Sequence, residues 1–147
     1  MGILADLFVA TPPEAAVYEE ILLRNIAVAE EQYDPAHFRG LTDLNFSILW
    51  AMLLEEEWDL SRHALITIKL EEPGETWLFQ FPQSFCEKLA DLSDEEVRSV
   101  SIAWAATEEL TLDRWTVDDV LPVVERLREL SKRAINSDDS LFLWGSL

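Results

Sequence analysis

Segments rich in apolar residues predict a small, mostly antiparallel sheet. Residues 3–10 (ILADLFVA) have the length and composition of a short strand. The segments 64–71 and 76–81 are rich in β-branched and aromatic residues, and Glu72-Pro73-Gly74-Glu75 between them has the composition of a turn. We therefore predict a hairpin over 64–71/76–81. Residues 141–144 are apolar on both faces of a strand, so we expect a docked C-terminal segment, and the two terminal strands can be added to the same sheet.

Three helices are predicted in the first two-thirds of the chain. Thr11 and the prolines that follow it favour a helix over about 13–24, because a helix start has N–H groups to spare. Thr42 precedes a helix over about 43–57 whose apolar residues cover almost the whole circumference, which is typical of a buried helix. Pro82 opens a third helix over about 82–91. Residues 26–40 fit neither a helical nor a strand pattern consistently.

Two capping boxes predict the C-terminal helices. Ser93 and Glu96 have the spacing of such a box and start a helix over about 94–110. Thr116 and Asp119 resemble a second box, and Pro122 after it indicates either a kink or a later start. The spacing of apolar residues then forms one helical face, which contains Val123, Leu127, Leu130 and Ala134. Together the elements predict an α+β fold of four to five helices packed on the sheet, in a single globular domain over residues 1–147.

The charge of the chain limits its partners. It contains 29 acidic and 11 basic residues, a formal net charge of −18 with both histidines neutral. Nucleic acids and anionic membranes attract clustered positive charge, so we expect neither as a partner. Residues 122–147 carry four basic and four acidic side chains, which places the whole acidic excess in residues 1–121.

A cytoplasmic location is expected from the N-terminal segment and from the cysteine content. The segment starts without Lys or Arg, and Asp6 interrupts its apolar run, unlike a secretory signal. Cys86 is the single cysteine, which excludes an intrachain disulfide and a multi-cysteine zinc site. The four glycines stand far apart, so the chain has no glycine-rich phosphate loop. We predict no cofactor.

Weak candidates for chemistry remain. Glu55, Asp59 and His63 are spaced four residues apart and would stack on one face of a continuous helix, where they could bind a divalent metal. The alternative interpretation is a solvated helix end. His37 lies near Asp34 and could act as a general base, or it could simply be exposed. Cys86 falls on an apolar face, which favours a buried side chain over a nucleophile.

Two of the six tryptophans are surrounded by acidic residues, and tryptophans are frequent anchors of protein interfaces. These clusters predict a surface for a basic partner, formed by Glu55, Glu56, Glu57, Trp58, Asp59, Trp115, Asp118 and Asp119. The leading hypothesis is therefore a non-catalytic interaction or inhibitor-like module that binds a basic protein, as a monomer or homodimer. The alternative is a small-ligand or metal-binding enzyme that uses the 55–63 segment or His37.

Overall fold

A computed structural model describes residues 2–71 and 75–147, which form five strands and nine helices. The strands are β1 (Leu4–Ala10), β2 (Ala36–Arg39), β3 (Ile66–Leu70), β4 (Thr76–Gln80) and β5 (Ser140–Ser146). The helices are α1 (Pro12–Ala16), α2 (Tyr18–Arg24), α3 (Ile26–Tyr33), α4 (Asp43–Leu53), α5 (Leu60–His63), α6 (Gln83–Ala90), α7 (Asp94–Ala105), α8 (Glu108–Leu112) and α9 (Val117–Ser137). The α+β class is confirmed.

All strands belong to one antiparallel sheet with the order β2-β1-β5-β4-β3. The predicted hairpin is formed by β3 and β4, although residues 72–74 of its expected turn lie outside the described residues. The two terminal strands do join the sheet: β5 is its central strand and pairs with β1 from Leu4↔Ser146 to Ala10↔Ser140. The apolar C-terminal segment is buried because sheet neighbours flank it on both sides.

Helices cover both faces of the sheet. On one face, Leu7 and Leu143 belong to the larger apolar core together with Val123, Leu127 and Leu130 of α9. Ala134, the fourth residue of the predicted helical face, is also buried. On the other face, Phe8 stacks on Tyr18 of α2 with ring centroids 4.2 Å apart. The segment α1–α3 covers only part of this second face, and the uncovered part at the β1–β2 edge becomes a cavity.

Two helices are shorter than the pattern of apolar residues predicts. The segment 13–24 is divided between α1 and α2, because Val17 departs from helical geometry with φ −105° and ψ 5°. Helix α4 ends at Leu53 instead of residue 57, and Glu55 adopts a left-handed conformation with φ 56°. Carboxylates at a helix C-terminus meet the negative end of the helix dipole, so the acids that follow Leu54 oppose further turns.

The C-terminal helices also differ from the predicted bounds: α7 ends earlier than predicted, and α9 starts before Pro122. Helix α7 ends at Ala105, where the Thr107 hydroxyl donates to the Trp104 carbonyl at 2.7 Å, and α8 begins separately. Pro122 neither delays nor ends α9, which starts at its capping box. The proline removes only the hydrogen bond to the carbonyl four residues before it, on the exposed Asp118, where water can reach it. None of the helices in the described residues is long and apolar enough to cross a membrane.

Candidate ligand cavity around His37

Asp6 and His37 face each other across two neighbouring strands. The register of β1 and β2 places them directly opposite, so both side chains point to the same face of the sheet. The His37 Nδ1 lies 2.6 Å from the Asp6 Oδ1, and the Tyr18 hydroxyl donates to the Asp6 Oδ2 at 2.7 Å. Asp6 is buried in an otherwise apolar strand, and these two donors satisfy both of its carboxylate oxygens.

Helix α3 brings a second carboxylate to His37. The Asn25 side chain caps the start of α3 by accepting from the backbone of Ala27 and Val28, and a left-handed Asp34 ends it just before β2. The chain therefore turns back so that Glu30 Oε1 lies against the Nε2 of His37. Carboxylates only accept hydrogen bonds, so the protonated imidazolium, which donates from both nitrogens, satisfies both partners.

The electrostatics of this cluster favour the charged histidine. Burial lowers the pKa of His37, but its hydrogen bonds to Asp6 and Glu30 and the charges of both acids outweigh burial and raise the pKa above the usual 6.5. For Tyr18, burial and then the hydrogen bond to Asp6 raise the pKa strongly, so its hydroxyl remains a donor. The His37 side chain is still 48% exposed and can contact a ligand.

This exposure opens onto a cavity of about 840 Å³, which we call the His37 cavity. Its walls come from β1, β2 and β5, from the end of α2, from the start and middle of α3, and from Asn25 between these two helices. Apolar side chains line most of it: Leu4, Leu22 and Trp144 in the walls, with Leu23 and Ile26 at the rim. Phe38 also borders the cavity, but its side chain packs against the larger core on the opposite face of the sheet. The polar side chains are the cluster of Asp6, Glu30 and His37, the two arginines Arg24 and Arg39, and Asn25 and Ser146. A mostly apolar cavity with a few converging polar groups is the usual form of a small-molecule site.

The residues predicted for a metal site are arranged differently. His63 is fully buried, and its Nδ1 accepts from the backbone N–H of Asp59 at 3.0 Å, while its Nε2 lies 2.9 Å from Glu56 Oε1. The Asp59 carboxylate caps α5 by accepting from Ser61. The structure thus brings His63 to Glu56 and brings neither Glu55 nor the Asp59 carboxylate to it. Within residues 2–71 and 75–147, no three His, Cys, Asp or Glu side chains are grouped to hold a metal.

The two predicted partner-binding clusters lie on different elements. Trp58 is 43% exposed, and its indole N–H donates to the Ser47 hydroxyl of α4 at 2.9 Å. Trp115, by contrast, is half-buried and lies over Gly40 after β2. Asp119 caps α9 as part of the predicted box, and Asp118, also in the first turn of α9, remains exposed.

Cys86 is buried on the apolar face of α6, where the sequence places it. Burial raises the pKa of its thiol to about 11. A thiol with such a pKa is a poor nucleophile at neutral pH.

Sequence reasoning found His37 but missed its partners Asp6, Tyr18 and Glu30. One signal was present in the sequence: Asp6 is the single charged residue in an apolar strand, and a buried carboxylate needs hydrogen-bond donors. No comparable signal marks Glu30, which is one of three consecutive polar residues on α3.

Fold and cavity together define an α+β protein with helices on both faces of a five-stranded antiparallel sheet and a histidine–carboxylate cluster in a cavity wall. No protein-family model matches the sequence, and no curated protein is significantly similar to it. Among solved structures, the chain is similar to the crystal structure of YfbM from Escherichia coli, described as a protein of unknown function. The TM-score is 0.46 and the identity 13%, over 98% of this chain and 99% of that one.

Proposed function

We propose that this protein binds a small organic molecule in the His37 cavity and that His37 exchanges a proton with it. The observation that carries the proposal is the Asp6–His37 pair in the wall of an 840 Å³ cavity. A titratable side chain with specific charged partners in a largely apolar cavity is a physical indicator of a functional site.

The two ring nitrogens of His37 have different roles in this proposal. The Nδ1 donates to Asp6, which is buried and also held by Tyr18, so this bond fixes the orientation of the ring. Glu30 is 43% exposed and can be displaced by a ligand. The Nε2 is therefore the nitrogen that exchanges a proton with the ligand. In the aspartate–histidine pair of hydrolases, too, one ring nitrogen is held by the aspartate and the other transfers the proton.

A fragment screen observed by NMR tests the proposal. We expect a subset of a diverse fragment library to shift both the imidazole resonances of His37 and the backbone amides of Ala27 and Arg39, because these groups line one cavity. The variant Ala27→Trp fills the cavity from an exposed position of α3 and should abolish these shifts. Ala103→Trp is the matched control, since Ala103 is exposed on α7 and lies outside the cavity.

Two results would contradict the proposal. One is the absence of any fragment that shifts the His37 resonances. The other is fragment binding that survives Ala27→Trp unchanged, which would place the bound fragments elsewhere on the protein.

We keep the basic protein partner as a second candidate function, favoured by the exposed indole of Trp58. The neighbouring Glu55 and Glu57 are exposed and have no side-chain partner among the described residues, so their charges are available to a cationic surface. Glu56 contributes less, because Arg62 and His63 already engage it.

Binding of an arginine-rich peptide, measured by calorimetry and by the change in tryptophan fluorescence that Trp58→Phe should remove, tests this second candidate. The double variant Glu55→Gln/Glu57→Gln should weaken binding more than Glu31→Gln/Glu125→Gln, which removes the same charge from two exposed sites on other helices. Equal weakening would mean that the peptide responds only to net charge. A cytoplasmic location belongs to both proposals and is supported by the single, buried thiol of Cys86.

A further inference from the structure

Arg39 is the unpartnered cation of the His37 cavity. It follows His37 by two residues on β2, so both side chains point to the same face of the sheet, and Arg39 pairs in register with Leu4 of the cavity wall. Arg39 is exposed and forms no ion pair or side-chain hydrogen bond with the described residues. Arg24, the other arginine of the cavity, is bound to Glu20 at 3.0 Å.

The carboxylates of the cavity are already engaged. Asp6 accepts from Tyr18 and His37, and Glu30 accepts from the second nitrogen of His37. Their negative charge is therefore partly neutralised by groups of the protein itself. The formal net charge of the chain is −18, but the charged group that remains without a partner in this cavity is the cation of Arg39.

The rest of the cavity fits an apolar body. Leu4, Leu22 and Trp144 supply apolar surface inside the cavity, and two large side chains at the rim stay strongly exposed: Leu23 at 77% and Ile26 at 66%. Exposed apolar side chains at the mouth of a cavity gain burial when an apolar ligand enters.

From these observations, and building on the proposed function, we propose that the ligand is an amphipathic monocarboxylate. Its carboxylate is bound by the guanidinium of Arg39, whose planar pair of donors matches a carboxylate. Its aliphatic or aromatic body lies against Leu4, Leu22 and Trp144 and covers Leu23 and Ile26. The end of the ligand that approaches His37 is the site of proton exchange.

Matched pairs of compounds test the charge of the ligand. The probes are phenylbutyrate, octanoate and indolepropionate, each compared with its primary amide and with the amine of the same length by NMR titration. We expect at least one carboxylate to bind about tenfold more tightly than its amide, because charge-assisted hydrogen bonds are roughly twice as strong as neutral ones. The amines should bind more weakly than the amides, because Arg39 repels them.

Arg39→Gln should remove the advantage of the carboxylate, so that acid and amide bind with similar affinity. Arg98→Gln is the matched control: Arg98 is exposed on α7, outside the cavity, and its replacement removes the same charge. An equal loss of affinity in both variants would mean that the carboxylate responds only to the net charge of the protein. It would overturn the proposal that Arg39 binds the carboxylate.

The outcomes separate the two proposals. If amides or amines bind the cavity as tightly as the acids, or if only unrelated fragments bind there, the carboxylate assignment is wrong while the His37 cavity remains a ligand site. If neither these probes nor any fragment perturbs His37, both proposals fail together.

Discussion

Replacing Asp6 and His37, singly and together, should reveal an ion pair whose contribution to stability depends on pH. The cycle consists of Asp6→Asn, His37→Gln and the double variant. Both substitutions keep a polar side chain of similar size and remove the charge, so the coupling energy reports on the interaction rather than on lost packing.

The size of the coupling follows from the geometry. The 2.6 Å contact between Asp6 and His37 is a charge-assisted hydrogen bond when the ring is protonated. Hydrogen bonds to charged groups contribute about 1.5–3 kcal/mol, but the His37 side chain is 48% exposed and solvent screens part of the attraction. We expect a coupling energy of about 1–2 kcal/mol at about pH 5.5.

The sign of the pH dependence follows from the raised pKa of His37. A raised folded-state pKa means that the folded protein holds the proton more tightly than the unfolded chain, in which the pKa is about 6.5. The contribution to stability is fully present below about pH 6.5 and is lost as the pH rises through the folded-state pKa. Relative to His37→Gln, the natural protein should lose no more than about 1.4 kcal/mol per pH unit in that window, the limit for one proton.

Urea unfolding followed by tryptophan fluorescence measures the four free energies of unfolding at several pH values between about 5.5 and 8.5. A coupling energy below about 0.5 kcal/mol at the acid end would show that the two side chains do not form a stabilising pair. A coupling that stays constant across the range would show that the pKa of His37 is not raised. Either result would refute the reasoning about the cluster.

Three further predictions concern the rest of the fold. Gly145→Ala should lower the free energy of unfolding in urea by about 1–3 kcal/mol, because the new Cβ would lie 1.9 Å from the Trp77 Nε1. Gly2→Ala is the control and should change the free energy of unfolding little, because the nearest atom to its new Cβ is 3.9 Å away. Equal effects of the two substitutions would contradict this explanation. Thr116→Ala should cost about 1 kcal/mol through loss of the α9 cap, and an unchanged unfolding midpoint would mean that the cap contributes nothing. Cys86 should react with a disulfide reagent far more slowly in the native protein than in urea, since its thiol is buried with a pKa of about 11; similar rates would show an accessible thiol.

Much of the fold could be predicted because its signals are local. The hairpin segments, the capping boxes at Ser93 and Thr116 and the buried face of α9 each depend on residues a few positions apart. The segment that became α3 and β2 could not be assigned for a physical reason. Helix α3 buries only Ala29 and Tyr33 and leaves Ile26 and Val28 exposed, so its apolar residues do not mark one face.

The site was less predictable than the fold because its partners are distant in sequence. Asp6 and His37 are 31 residues apart and meet only through the register of β1 and β2. The acidic residues near His63 illustrate the opposite error. Glu55, Asp59 and His63 would lie on one face only if the helix were continuous. Helix α4 ends at Leu53, and Glu56 lies against His63 in place of the carboxylates of Glu55 and Asp59.

Some of the excess acidic residues stabilise helices, and these must be distinguished from the ones available to bind a partner. Glu14, Glu96 and Asp119 each belong to a capping box, and hydrogen bonds from the backbone and hydroxyl of the cap residue lower the pKa of their carboxyls, so these charges stabilise helices. Neutralising them would weaken the fold and any interface together, and the two effects could not be separated. Glu55 and Glu57 serve no such local role among the described residues. Charge removal at these two residues is therefore the substitution that can distinguish attraction to a basic partner from the stability of the protein.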